Sequence, residues 1–460
     1  MNIIVIYSMD LWYVNHRVYI ITLIYHEGQN MRSFPYMLIM LWLSTNMLYA
    51  DHPYDKLESL TFNPIGSGAR ALGMGGAFIG IADDATAASW NPGRLIQLKT
   101  PELSIVADFS HWKENNTIHM NAPDEFSNSM SEQNLNFFSL TSPFEFMGRN
   151  MVISLNYQHL FAFKREQRLS YSKIEKNDSQ YMVMQDGKLS ALGLALCFQL
   201  YSNLSVGCTL NFWNDFLGTN GWEQTTREKG PVILSFSAPF LMDSAITHEY
   251  KFSGFNMNIG ISWDVTDQFT CGFVLKTPFT ADLEHTTIFT SFDPIYSQTS
   301  RKYSEKLDMP LSCGMGVAYR FSDNWTLSGD LYLTDWSNFI LTDPNGDQYS
   351  FITGKKNSLS HVKPTYQVRF GSEYLLINKR LETIIPFRAG IFYDPMPSDG
   401  NPDDYYGFSL GSGISIGPYV FDIAYQFRFA VNVGEAKLKR FGFSQDVEEV
   451  RFYGSFIFHF

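Results

Sequence analysis

The chain has 460 residues, with 34 Lys plus Arg against 46 Asp plus Glu, a net charge of -12 and only 17% charged residues, well below the roughly 25% of an ordinary soluble domain. Hydrophobic residues make up 45% and aromatics 16%, with 39 Phe and 25 Tyr, yet no run approaches the ~18 consecutive apolar residues of a membrane helix. A helical membrane protein is excluded, and the acidic balance without clustered Lys and Arg excludes nucleic acid as a partner; an all-β protein remains, in water or in a membrane.

Residues 1–30 are chopped by Asp10, Arg17 and Glu27 into apolar pieces too short to span a bilayer, and read as a start codon placed too far upstream. Residues 31–50 read as a signal peptide. Met31-Arg32 is the positive end, Phe34 to Leu43 the apolar stretch, and Leu48-Tyr49-Ala50 the small-residue cleavage site. The rival reading is one helical anchor, but Ser44, Thr45 and Asn46 interrupt it. Export argues for an envelope location with the mature chain starting at Asp51.

Residues 51–100 are rich in small residues, with Gly66-Ser67-Gly68 leading into Gly73-Met74-Gly75-Gly76-Ala77-Phe78. Asp83 or Asp84 can cap a short helix over Ala85 to Trp90, closed by Pro92. No Lys-Ser or Lys-Thr follows the glycines, so they do not read as a phosphate cradle. So little apolar area suggests a segment held loosely and easily shifted.

From residue 101 to 460 the pattern is period two. Phe255, Met257, Ile259, Ile261 and Trp263 form one face against Asn256, Asn258, Gly260 and Ser262; Leu311, Cys313, Met315 and Val317 repeat the scheme, as do Phe421, Ile423 and Tyr425. A sandwich and a membrane barrel both alternate. Strands long enough to cross a tilted bilayer, aromatics at strand ends and alternating loop lengths favour the barrel. Fourteen strands can be drawn, from 101–112 to 448–460, the third at 150–165. Residues 217–247 and 281–308 then read as long connections on the outer side, and an even count leaves both termini in the periplasm. The last strand places Phe452, Gly454, Phe456, Phe458 and the terminal Phe460 on one face, resembling the signal read by outer-membrane assembly machinery. Parity sets Cys197 and Cys208 on opposite faces, which forbids a bridge between them.

The predicted connections carry the candidate capture residues Phe236, Phe240 and Leu241, and Phe289, Phe292 and Tyr296. Large apolar side chains at loop tips suggest a groove for a hydrophobic small-molecule ligand; the alternative is a cap in which the loops pack on each other. On the lumen parity, Arg369 or Arg388 could hold a carboxylate headgroup, or the lumen charges could satisfy one another. The loop carboxylates Asp343, Asp347, Asp399, Asp403 and Asp404 match no EF-hand spacing and read as turn residues, so no metal is expected. Nor is a cofactor or an enzyme: His248-Glu249 lacks the second His of a zinc motif.

The string from Gly68 to Pro92 resembles the N-terminal hatch of the FadL-type outer-membrane transporters of long-chain fatty acids and other hydrophobic compounds, down to the turn at Asn91-Pro92-Gly93. Asn324-Trp325-Thr326-Leu327 to Phe339, and Arg388 to Pro397, are similar to the family as well. The resemblance implies a 14-stranded antiparallel transmembrane β-barrel in the outer membrane over residues 101–460. It also implies a hatch over 51–100, with Phe78, Asp83, Asp84, Asn91, Pro92 and Gly93 at the gate, and lateral release of the ligand through a kinked third strand into the membrane lipid. Two features depart from it. Gly93 stands where the family has a small alanine, and the third strand has no Gly or Pro to bend it. A second resemblance, to the PorV-like barrel shuttles of type IX secretion, implies binding of cargo proteins without small-molecule transport. About 50 residues are too few for the plug of a TonB-type receptor.

Overall fold

The structure is a computed structural model and describes residues 66–119, 123–174, 177–232, 240–293, 295–435 and 442–460. The upstream segment, the signal peptide with its cleavage after Ala50, and Phe236 lie outside the described residues.

Alternation of apolar and polar residues sends each strand's two faces to different solvents, and closure is the only way to leave no strand edge in lipid. The strands close into an antiparallel 14-stranded barrel. In chain order they are β1 (Glu102–His119), β2 (Pro123–Phe146), β3 (Arg149–Ala162, continued by Arg165–Ile174), β4 (Asn177–Tyr201) and β5 (Leu204–Trp213, continued by Gly221–Val232). Next come β6 (Phe240–Asp264), β7 (Phe269–Lys276, continued by Phe279–Asp293), β8 (Ser297–Met309, continued by Ser312–Ser322) and β9 (Trp325–Thr334). The ring ends with β10 (Thr365–Asn378), β11 (Thr383–Tyr393), β12 (Tyr406–Ile416), β13 (Tyr419–Val433) and β14 (Phe443–His459), and β14 pairs with β1. A small hairpin, Ile340–Thr342 with Gln348–Ser350, pairs with β8 just beyond the point where β9 leaves it.

Side-chain parity follows the sequence. Val317, Phe421 and Ile423 are exposed outward, whereas Asn256, Asn258, Asp330, Arg369, Arg388 and Asp422 are buried inside. All four cysteines are free, and Cys197 is buried while Cys208 sits on the other face. One end of the barrel carries tight turns. At Met147-Gly148 both residues have positive φ, 49° and 73°, the backbone of a two-residue hairpin turn whose twist matches its strands.

The other end departs from expectation. Residues 217–247 and 281–308 are mostly not loops: Gly221–Val232 pairs in register with Phe240–Lys251, and Phe279–Ser291 with Ser297–Met309. β4 and β6 reach 25 residues each, against the ~10 needed to cross a bilayer, so these hairpins stand well beyond it. Thr225, Thr226, Thr247, Thr286 and Thr287 fill them. Such β-branched polar residues favour strand while erasing the apolar alternation that marks one.

Inside, small residues of the segment 66–100 pack with wall residues Val152, Ala195, Val274 and Tyr332. On the long-strand side of it Phe161, Trp213, Trp222, Phe252, Leu307, Met309 and Trp336 make a second, aromatic core. Residues 335–362 contribute Trp336, Phe339 and Val362 to it, so this connection folds inward as a lid.

The outward position Ile423, 67% exposed, should resist charge: Ile423→Arg is expected to cost about 2 to 4 kcal/mol near the bilayer midplane, and Ser110→Arg, facing a lumen cavity, much less. Urea unfolding in lipid vesicles measures both, and equal costs would overturn the assignment of faces.

Candidate functional site

The segment 66–100 has two short helices, α1 (Ala69–Gly73) and α2 (Ala87–Trp90), and a 3-10 turn, Pro92–Gln97. So little regular structure leaves many backbone groups without internal partners. The wall supplies them. The Ser455 and Ser409 hydroxyls accept from the Ala69 and Gly75 amides at 2.8 Å each, and one Asp330 oxygen accepts from Phe78 N (2.6 Å) and Ile79 N (2.9 Å). In return Ser328, Thr209 and Ser205 donate to the carbonyls of Ala77, Ala88 and Gly93 at 2.8, 2.8 and 2.7 Å.

Asn91 is fully buried and central to this web. Its amide donates to Ile79 O (3.0 Å) and to Ile261 O on β6 (2.9 Å), and its oxygen accepts from Gly93 N (3.1 Å). The turn at Asn91-Pro92-Gly93 lies flat on the wall because Gly207 and Gly260 face it: a Cβ at Gly207 would come within 2.2 Å of Pro92 O, and one at Gly260 within 2.1 Å of Asn91 Oδ1. Gly93 obeys the same constraint. An alanine Cβ there would meet Gly260 O at 2.8 Å, so this departure from the family pattern has a steric reason. Phe78, fully buried, packs edge-on against Trp90 at 5.8 Å. Asp84 is buried and accepts from Thr86 N at 2.8 Å, whereas Asp83 is more exposed and pairs with Arg70. The segment is thus held by polar contacts, not loosely as its composition suggests.

The lumen cations are engaged. Arg388 bridges Glu373 and Asp422 at 2.6 Å each, and Glu373 also binds Arg70 of α1 at 2.9 Å. Arg369 donates to Gly75 O at 2.9 Å and faces Asp394 at 3.4 Å. Both arginines singled out for a headgroup therefore serve the wall and the plug. Among the loop carboxylates, Asp343 closes its own turn on Asn345 N and Asp347 N. Asp399 meets Lys355 and the His361 amide; although partial burial pulls its carboxyl up, these partners hold it below the usual range.

Among the described residues, two of the lumen cavities flank the plug and the aromatic core. The first, about 90 Å³, rests on Leu72, Gly76 and Trp90 of the plug and is walled by Asp108, Glu132, Arg369, Arg428 and Arg451. It is polar. Its side facing β2 and β3 is formed by Asn134, Asn136, His159 and Leu160, and there the wall changes. The β2–β3 ladder runs from Phe146↔Arg149 to Phe137↔Gln158 and stops; beyond it, among the described residues, β2 pairs with β1 and β3 with β4. Asn136 is an extra residue in β2, and Leu160 an extra residue in β3 between His159↔Ser190 and Phe161↔Leu189. The third strand thus bends by a bulge, which needs neither Gly nor Pro. The second cavity, about 70 Å³, lies under the aromatic core against Phe161, Trp213, Phe279, Met309 and Trp336, and Leu160 lines both.

The capture residues do not share one fate. Phe289 is buried, at 5% exposure, on the inner face of the β7–β8 hairpin, while Phe292 and Tyr296 are exposed near that hairpin's tip and Leu241 near the tip of the β5–β6 hairpin. Phe292 lies 6.4 Å from Tyr296 and carries the Arg227 guanidinium 4.7 Å above its ring. Phe240 falls within β6.

Residues 63–433 match the profile of the outer membrane protein transport protein family (OMPP1/FadL/TodX). The chain belongs to this family. It is an outer-membrane β-barrel of a family of transport channels. Solved structures share the fold: a FadL homologue of Pseudomonas aeruginosa (14% identity, 88% of this chain and 100% of that one, TM-score 0.58), the CymD monoaromatic hydrocarbon channel (18%, 87% and 99%, 0.53) and the Pseudomonas putida toluene transporter TodX (14%, 87% and 100%, 0.53). No curated protein matches the sequence significantly.

Within this FadL/TodX barrel, Asn91→Ala removes three hydrogen bonds of about 0.5 to 1.5 kcal/mol each. Hydrogen exchange should quicken at the Gly93 amide, which donates to the Asn91 side chain, while the barrel keeps its heat-resistant migration. Unchanged exchange there would mean that Asn91 does not pin the plug.

Proposed function

We propose that the protein carries hydrophobic compounds, long-chain fatty acids or similar hydrocarbons, through the outer membrane. Capture begins at the exposed tips around Leu241, Phe292 and Tyr296, the aromatic core and its cavity receive the ligand, the plug closes the periplasmic path, and release is sideways into membrane lipid. The observation that carries this reading is the interrupted β2–β3 ladder, flanked by bulges at Asn136 and Leu160 and facing a lumen cavity. Energetics favour the same route. Moving a methylene from an apolar site into water costs about 0.8 kcal/mol, so a sixteen-carbon chain entering the periplasm faces roughly 10 kcal/mol, while entry into lipid costs little.

The break also sits at the right height. On β2 the outward residues Phe146, Phe144 and Leu140 are exposed and apolar up to Leu135, and Gln133 and Ser131 follow, so the ladder opens near the upper border of the lipid belt. Phe460, 61% exposed and stacked 5.7 Å from Phe458, is available to the assembly machinery as the terminal aromatic. A shuttle for secreted cargo remains the alternative, favoured by one observation: the apolar core does not run down to the plug but ends at the polar cavity.

Cells carrying the protein should take up labelled palmitate or toluene faster than cells without it. Deleting Leu160, which restores the β3–β4 register, should cut that uptake several-fold with the barrel still folded, and Phe292→Ala with Tyr296→Ala should raise the concentration needed for half-maximal uptake. If the unaltered protein gives no uptake of either ligand class, the importer reading fails and the shuttle reading replaces it.

A further inference from the structure

His248-Glu249 has no second histidine at zinc-motif spacing along the chain, but the neighbouring strand supplies one. On the hairpins that rise beyond the bilayer, His248 of β6 lies opposite Thr287 of β7, and Tyr250 lies opposite His285. All four share the inner face with Phe252 and Leu283, which are buried. His248 Nδ1 stands 2.9 Å from His285 Nε2, and the Thr287 hydroxyl oxygen is 3.3 Å from the first and 3.1 Å from the second. Three atoms of ligand type converge on one point. On the other side of the His285 ring, Glu305 Oε2 of β8 is 3.2 Å from Nδ1, in a side chain itself almost wholly buried. A carboxylate there keeps a proton on Nδ1 and leaves Nε2 with its lone pair toward His248. Tyr250 stacks on the His285 ring at 4.2 Å and 19°, and on Trp222 at 4.6 Å, which fixes the imidazole plane and sets the pair beside the aromatic core.

We propose that His248 Nδ1, His285 Nε2 and the Thr287 hydroxyl hold a divalent transition-metal ion of the zinc or copper class, with Glu305 orienting His285 from behind and water in the remaining positions. The triangle has the right size. Its centre is about 1.8 Å from each of the three atoms, so an ion about 1 Å off their plane lies about 2.05 Å from all of them, the length of a zinc–imidazole bond. A hydrogen bond between the two rings accounts for the nitrogens alone; it leaves the Thr287 oxygen aimed at the same space, and it needs no carboxylate behind the ring, which is the usual partner of a metal-bound histidine. Imidazole nitrogens select zinc, copper or nickel, whereas calcium and magnesium require several oxygen ligands. The ion would clasp β6 to β7 above the bilayer, next to the entrance of the aromatic core. The site stands whether or not the barrel imports hydrophobic compounds.

Full-length protein without a histidine tag, purified in detergent and stripped with EDTA, can be titrated with Cu²⁺ and with Zn²⁺. One Cu²⁺ per chain should bind with micromolar affinity and give an electron paramagnetic resonance spectrum split by two imidazole nitrogens, and Zn²⁺ should displace it. His248→Ala and His285→Ala should each abolish that spectrum. Glu305→Gln, which keeps the side-chain shape, should weaken binding about 10- to 100-fold, the range for a partner that orients a ligating histidine. His361→Ala, at an exposed histidine elsewhere, should change nothing. Heat-resistant migration checks that each variant is folded, and the shape-conserving Glu305→Gln tests the site even where an alanine loosens the hairpin. No stoichiometric binding by the unaltered protein, a spectrum without the two nitrogens, or binding that persists in both histidine variants overturns the metal site.

Discussion

The structure depends on one constraint, that a plug whose described residues hold little helix and no strand must bury its backbone inside a barrel. Each amide and carbonyl it takes out of water needs a partner from the wall, because an orphaned group costs several times what a made hydrogen bond returns. This explains the lumen face residue by residue. Ser205, Thr209, Ser328, Ser409 and Ser455 stand where a plug carbonyl or amide arrives, and Asp330 takes two consecutive amides on one oxygen. Gly207 and Gly260, like Gly272 under Ile79 O, remove side chains where the plug backbone touches the wall. The polar period of the strands is therefore a complement to the plug's backbone and not merely the wet side of a pore.

Much of this was legible. Alternation along Phe255 to Trp263 and Tyr419 to Phe429 fixes both strand and face, because lipid on one side and a packed lumen on the other punish any slip of one residue. The parity of Arg369, Glu373, Arg388 and Asp422 was equally readable. Their partners were not, since an ion pair across β10, β11 and β13 depends on register that no single strand encodes. The tall hairpins escaped notice because their Thr-rich stretches break the apolar alternation, although Trp222, Phe252 and Phe289 are buried within them. Leu160 escaped because a bulge is a matter of pairing, invisible where neither Gly nor Pro marks it. His248 looks like a lone histidine until the sheet sets His285 and Thr287 beside it.

The lumen has two storeys of unlike character, and their order has consequences for a ligand. An aromatic upper core offers dispersion and burial; the chamber below it, resting on the plug, is bounded by Arg428 between Asp394 and Glu449 and by Asp108, Glu132 and Arg451. A purely hydrocarbon body gains nothing by descending into that chamber, because each methylene there displaces water or counter-charge from ionised groups. The β2–β3 ladder ends at the boundary between the two, where Leu160 belongs to both. On the proposed lateral route, a ligand with one polar end would keep that end in the lower chamber while its apolar body reached the break.

The ion chain between plug and wall can be cut without stranding a charge. Asp83 pairs with Arg70 inside the plug, Glu373 joins Arg70 to Arg388, and Arg388 continues to Asp422. Breaking a buried pair is costly chiefly when it leaves one member uncompensated. If the plug withdraws, the break falls between Arg70 and Glu373: Arg70 leaves with Asp83, and Glu373 keeps Arg388. Neither side then holds a lone buried ion. The hydrogen bonds that Ser409 and Ser328 make to the plug, and those that Asp330 accepts from its amides, would be released together, and water entering the vacated lumen can replace them at modest cost. A plug pinned by many polar contacts is in this way firmly placed, and its withdrawal would strand no member of this ion chain.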